Sequence, residues 1–248
     1  MRQIFSGIAI LGLVVLAFAG PALSADGFEP IAGRTEVKQI EGQQVMLPIM
    51  PELRIITEGG VNTVDLRVRI GLGDLQAKAP AILEAAVARK SNSTVELSLP
   101  RIDPPVVEAG ALKIRGALKA SNDDLFIEIT ETADFVLALT PRHDATSVAV
   151  IGTLEHFDLG NSILDGVGGG EQLLEGLAGN AIQRGLNDDD ALFRIPDAIG
   201  DFGFTLTEVV LADIGNGVGE LSATATAQLD GAALTRLLST VATSFAKP

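Results

Sequence analysis

Cysteine, tryptophan and tyrosine are absent from this chain of 248 residues, and histidine occurs only twice. Without cysteine there is no disulfide framework, no thiolate metal site, no cysteine nucleophile and no residue to carry a bacterial lipid anchor. Two histidines leave little room for metal or acid-base chemistry. Cations are scarce as well: 18 Lys and Arg stand against 32 Asp and Glu, for a net charge of −14. A nucleic-acid partner requires cations to displace counterions from phosphate, so that class is set aside. What is plentiful is aliphatic. The chain is 47% hydrophobic and only 4% aromatic, long enough to bury a substantial core, and is expected to fold as one domain over residues 25–248.

Long apolar runs are also few. Arg2 precedes the run Ile8 to Ala19, which leads into Gly20-Pro21-Ala22-Leu23-Ser24-Ala25. A positive start, a helical apolar stretch, a breaker and small residues before a cleavage point form a Sec-type secretory signal, and we place cleavage after Ser24. The alternative is an uncleaved anchor, since Ile4 to Leu23 supplies the roughly 20 residues of a bilayer span. Pro21 and the small residues favour cleavage. No second run of about 18 apolar residues follows. Export without cysteine points to a periplasm, or to secretion, more than to an animal extracellular space. Asn92-Ser93-Thr94 forms a glycosylation sequon that we read as unused.

Ala25 to about Glu41 has weak periodicity and reads as an exposed lead-in. Strand signals then begin. Val45, Leu47 and Ile49 alternate, Pro48 and Pro51 interrupt, and Gly59-Gly60 makes a turn. The cleanest alternation sets Val64, Leu66, Val68 and Ile70 on one face and Asp65, Arg67 and Arg69 on the other, which predicts one buried and one wet face. Pro80 is expected to open a short helix through Ile82, Leu83, Ala86 and Val87. Alternating strands resume at Val95 to Leu99, Leu112 to Leu118, Leu125 to Ile129, Phe135 to Leu139 and Val148 to Leu154, with a polar turn at Ser121 to Asp124 and another at Pro141 to Asp144. This reads as an antiparallel meander.

From Asn161 the texture changes. A glycine tract leads into Glu171 to Leu186, whose apolar residues fall on a helical stripe. A hairpin is expected over Phe204 to Leu211 and Val218 to Leu229 around the Asn216-Gly217 pair. Asp230 then caps a last helix bearing Leu234, Leu237, Leu238, Val241 and Phe245. The expected fold class is α+β: a long, strongly curved antiparallel sheet wrapped around or covered by a central helix, with a C-terminal helix.

Catalytic templates are missing. There is no Gly-x-Ser-x-Gly elbow and no His-Glu-x-x-His helix, and the glycine clusters match neither a dinucleotide fingerprint nor a phosphate loop. His143 beside Asp144, and His156 beside Glu155, have no partners at ligand or catalytic spacing and read as surface residues. Asn187 to Asp190 fails the EF-hand pattern. No catalytic residue, metal site or cofactor is expected, and the chain is not read as an enzyme.

The order of elements in Asn161 to Leu229 resembles the tubular lipid-binding superfamily that includes the bactericidal/permeability-increasing protein. The resembling stretch comprises a helix ending at Ala181-Ile182-Gln183-Arg184-Gly185-Leu186, then Arg194-Ile195-Pro196-Asp197, the strand Phe204 to Leu211, and Gly219 to Ala225 after a tight turn. The resemblance implies a long helix inside a curved sheet and an exported module that shields acyl chains, shuttling lipid or holding it for envelope maintenance. The glycine-interrupted helix and the lack of the disulfide of animal members depart from that pattern.

The expected function is binding of a lipid or hydrophobic small molecule in an apolar groove between sheet and helix, with Leu66, Val68, Ile127, Leu137, Leu173, Leu177 and Ile182 as the candidate lining. Envelope proteins and transient membrane contact complete the partners. The alternative is a non-catalytic structural or interaction protein of the envelope with a filled core. An outer-membrane barrel fits poorly, because it needs aromatic girdles that a chain without Trp or Tyr lacks.

Overall fold

A computed structural model of the chain describes residues 26–89, 95–122, 129–158 and 193–246. Strands account for 61% of these residues, and the β-structure curves strongly, as half a barrel does. The described strands form two antiparallel sheets of six strands each. The first contains β1 (Glu29–Pro30), β2 (Arg34–Ile40), β3 (Gln43–Glu58), β4 (Val61–Gly71), β11 (Thr205–Asp213) and β12 (Gly219–Leu229). The second contains β5 (Val95–Ile102), β6 (Val106–Glu108), β7 (Ala111–Asn122), β8 (Ile129–His143), β9 (Ser147–Asp158) and β10 (Phe193–Arg194). Three described helices are α1 (Gly73–Ala88), the single turn α2 (Asp197–Gly200) and α3 (Gly231–Ala246).

Across the first sheet the order is β1-β3-β4-β12-β11, with β2 also on β3; across the second it is β10-β9-β8-β7-β5, with β6 also on β7. The single meander expected from the sequence is therefore divided in two. The chain leaves the first sheet through α1, builds the second, and returns to place β11 and β12 beside β4. Period-two alternation fixes which side chains share a face, but it carries no information on which strands become neighbours. Apolar faces of both sheets, together with α1 and α3, join one hydrophobic core.

Turns set much of the register. Glu41-Gly42, Gly59-Gly60, Ala109-Gly110 and Asn216-Gly217 all take positive φ at both positions, the backbone that matches the twist of two-residue hairpins. The β11–β12 hairpin agrees with its expectation, and so does the C-terminal helix, whose Ala233 N–H donates to Asp230 Oδ1 at 2.7 Å. Leu237 and Val241 of that helix are buried.

Two expectations are corrected. The presumed exposed lead-in contains β1 and β2, and buries Phe28 and Ile40. β2 is an edge strand whose charged residues Arg34, Glu36 and Lys38 hide its alternation, a pattern that also discourages edge-to-edge pairing. The helix around Pro80 starts at Gly73 and keeps Pro80 in its interior. An interior proline removes one N–H bond and costs about 3 kcal/mol in an isolated helix. Here burial of Ala79, Ile82, Leu83, Ala86 and Val87 offsets that cost. The start is set by tertiary contacts: Asp74 accepts the Met46 N–H of β3 at 2.7 Å and pairs with Lys78 at 2.8 Å, while Lys78 donates to the Gln44 carbonyl. This pair satisfies backbone groups of β3 that extend past the end of β4. The signal segment 1–24 and the helix expected over Glu171 to Leu186 lie outside the described residues.

Candidate functional site

The groove expected beside the helix Glu171 to Leu186 lies outside the described residues; a separate apolar space lies under α1, which packs against β3, β5 and β12 and so touches both sheets. Leu75, Ala79, Ile82 and Leu83 of α1 face Ile114, Leu139 and Val150 of the second sheet and Leu211 and Leu221 of the first across a cavity with no polar wall. Its volume is about 40 Å³. Space of this size admits one or two small guests; an engineered cavity that takes benzene measures about 150 Å³.

The sequence-derived lining residues are placed differently. Leu66, Val68 and Leu137 are each at most 2% exposed and belong to the core, but the walls of this cavity are formed by other side chains. Leu66 and Val68 pair with Leu53 and Pro51 on one side and with Ala225 and Ala223 on the other. Leu137 pairs with Ile114. Ile127, Leu173, Leu177 and Ile182 lie outside the described residues. The helix that does meet both sheets is α1, and its apolar residues Ile82 and Leu83 were legible in the sequence.

A second concavity, which sequence reasoning missed, lies on the opposite face of the first sheet. It is an open groove of about 850 Å³ lined by Asp26, Phe28, Glu52, Arg54, Arg67, Arg69, Glu208, Val210, Glu220, Ser222 and Thr224. Cross-strand register explains its layout. Glu52 of β3 faces Arg67 of β4, which faces Thr224 of β12, which faces Glu208 of β11; one step along, Arg69 faces Ser222 and Ser222 faces Val210. Short hydroxyl side chains on β12 thus form a floor between longer side chains on β4 and β11.

The face expected to be wet is in fact tightly paired. Arg54 donates from Nε and Nη2 to Asp65 Oδ2 at 3.0 and 2.7 Å, and Thr226 donates to Asp65 Oδ1 at 2.7 Å. Arg67 donates from Nε to Glu52 at 2.6 Å and from Nη1 to Asp26 at 2.5 Å. Both guanidinium groups lie against the Phe28 ring, 4.5 Å (Arg54) and 3.9 Å (Arg67) from its centroid, within cation–π range. Burial pulls the Arg67 pKa down, but its bonds to Asp26 and Glu52 prevail and hold it above the usual arginine value. Asp65 and Glu52 are each only 6% exposed. The alternation of Asp65, Arg67 and Arg69 was visible in the sequence. The acids opposite them, and the N-terminal segment that folds across them, come from strand pairing alone.

His143 and His156 are exposed and share no site; His143 Nδ1 lies 3.1 Å from the Asp144 carbonyl oxygen. Among the described residues no group of three or more His, Cys, Asp or Glu is placed to hold a metal, and no helix is long and apolar enough to cross a membrane. Compared with known protein families, with curated proteins and with solved structures, the chain matches none.

Proposed function

We propose that this protein is an exported envelope module that binds the apolar part of a lipid or other hydrophobic ligand in the seam beneath α1, in the manner its resemblance to the tubular lipid-binding superfamily implies. The observation that carries this reading is the seam itself. Its walls are aliphatic throughout, they are drawn from both sheets and a helix, and they hold unfilled volume. Such a lining gives an acyl chain burial without any polar group to desolvate.

The volume present does not accommodate an acyl chain, so the reading requires α1 to move outward. Pro80 favours such movement, because the helix lacks one internal hydrogen bond at that position. Protein recovered from a periplasmic fraction is expected to begin at Ala25 and to release a stoichiometric lipid on organic extraction, read by mass spectrometry. Ala79→Leu, which fills the seam, is expected to abolish displacement of an apolar fluorescent probe while the fold is retained. Ligand-free protein that binds no probe overturns the proposal.

That same result supports the second reading, a structural or interaction protein of the envelope with a filled core. The small size of the cavity is the observation in its favour.

A further inference from the structure

The groove on the outer face of the first sheet lies across the sheet from the seam and is unconnected with a hydrophobic ligand. Around it stand five carboxylates, Asp26, Glu52, Asp65, Glu208 and Glu220, and three guanidinium groups, Arg54, Arg67 and Arg69. Two of the three cations are committed. Arg54 is bound to Asp65, and Arg67 to Glu52 and Asp26.

Arg69 differs. Its Nε is 3.0 Å from Glu52 Oε1 and its Nη1 is 3.5 Å from Glu220 Oε1, yet neither contact has hydrogen-bond alignment, and the buried Nε has no acceptor. Across the floor, Glu208 is exposed and has no ion-pair partner among the described residues. Two strand spacings, roughly 10 Å, separate the backbones of β4 and β11. Side chains as long as Arg and Glu narrow that gap to the dimension of a small molecule. Ser222 and Thr224 offer hydroxyls in between, and Val210, 42% exposed, offers an apolar wall.

A cation with unused donors on one wall, an unpaired carboxylate on the other and a hydroxyl floor select a ligand that carries both signs. An anion alone would meet Glu52 and Glu220, and a cation alone would meet the Arg67 and Arg69 guanidinium groups. We propose that this groove binds a small zwitterion with a carboxylate and an ammonium group, of the free amino acid or short peptide class. Its carboxylate takes the Arg69 guanidinium and the Ser222 hydroxyl, its ammonium takes Glu208, and its side chain rests on Val210.

The test is a thermal-shift panel of the common amino acids and simple dipeptides at about 10 mM, above the micromolar-to-millimolar dissociation constants of small-ligand sites. At least one is expected to raise the unfolding midpoint. Calorimetry then compares that compound with its analogues lacking only the ammonium or only the carboxylate, each expected to bind at least about tenfold more weakly. Arg69→Gln and Glu208→Gln are expected to weaken it similarly. Glu208 is exposed, so its variant retains the fold even if the Arg69 variant does not. The proposal is overturned if no member of the panel shifts the midpoint, if the single-charge analogues bind as well as the parent, or if Glu208→Gln leaves binding unchanged.

Discussion

The side-chain oxygen of Gln76 accepts the backbone N–H of Gly219 at 2.6 Å. From the same side chain, Nε2 donates to the carbonyl oxygens of Gly217 at 2.8 Å and Pro105 at 3.1 Å. One buried amide on α1 therefore ties the β11–β12 turn of the first sheet to the β5–β6 connection of the second. Glutamine suits the position because it offers an acceptor and two donors on one planar group. Gly219 suits it because a Cβ there would come 2.9 Å from Val107 Cγ2.

Gln76→Leu keeps much of the volume and removes all three hydrogen bonds. Each buried backbone group left without a partner costs about 1–3 kcal/mol, so a total loss of about 2–4 kcal/mol is expected, allowing for relaxation. Urea unfolding should show a lower midpoint with an unchanged slope.

Arg67→Met leaves Glu52 buried with one poorly aligned partner, Arg69. Breaking a buried pair from one side costs about 3–5 kcal/mol. Arg67 retains some exposure, with 18% of its side chain accessible, so we expect a smaller loss of about 1–3 kcal/mol. Adding Glu52→Gln should recover part of it. A double-mutant cycle measures the coupling, and additive losses would sink the idea.

Ala109 adopts φ 51° ahead of Gly110, a backbone region that costs a residue with a Cβ about 1–2 kcal/mol. Ala109→Gly, or Ala109→Asn, is expected to raise stability by about 0.5–1 kcal/mol in thermal unfolding.

Asp144 gives the acid dependence. Its carboxylate accepts the Thr146 N–H at 2.7 Å, the Ser147 hydroxyl at 2.8 Å and the Ser147 N–H at 2.7 Å. These bonds, the Thr146 amide foremost, lower its pKa from 3.8 to about 2. A depressed folded-state pKa means the contribution is complete above the unfolded value and fades as pH falls from 3.8 to about 2. The stability difference between the parent and Asp144→Ala should therefore be constant near neutrality, and its charge-dependent part should shrink below pH 3.8 and vanish below about pH 2. Unfolding curves across that range provide the check.

Legibility followed the range of the physics involved. β4, the β11–β12 hairpin and α3 could be read because alternation, an Asn-Gly pair and an Asp cap act within a few residues. Glu41-Gly42 and Ala109-Gly110 escaped notice because their first residues are not turn formers. The start of α1 at Gly73 was hidden because Asp74 and Lys78 act on β3, far away in sequence.

A mainly aliphatic interior, the strand faces and the charge alternation of β4 follow from the sequence alone, since each depends on local side-chain chemistry and a period of two. The division of the strands into two sheets, the bridging of those sheets by α1 over a small apolar cavity, and the pairing and partial burial of the charges on a face read as wet all arise from packing between segments distant in sequence. Those features depend on which strands become neighbours, and neighbour choice is settled by the packing of the whole chain.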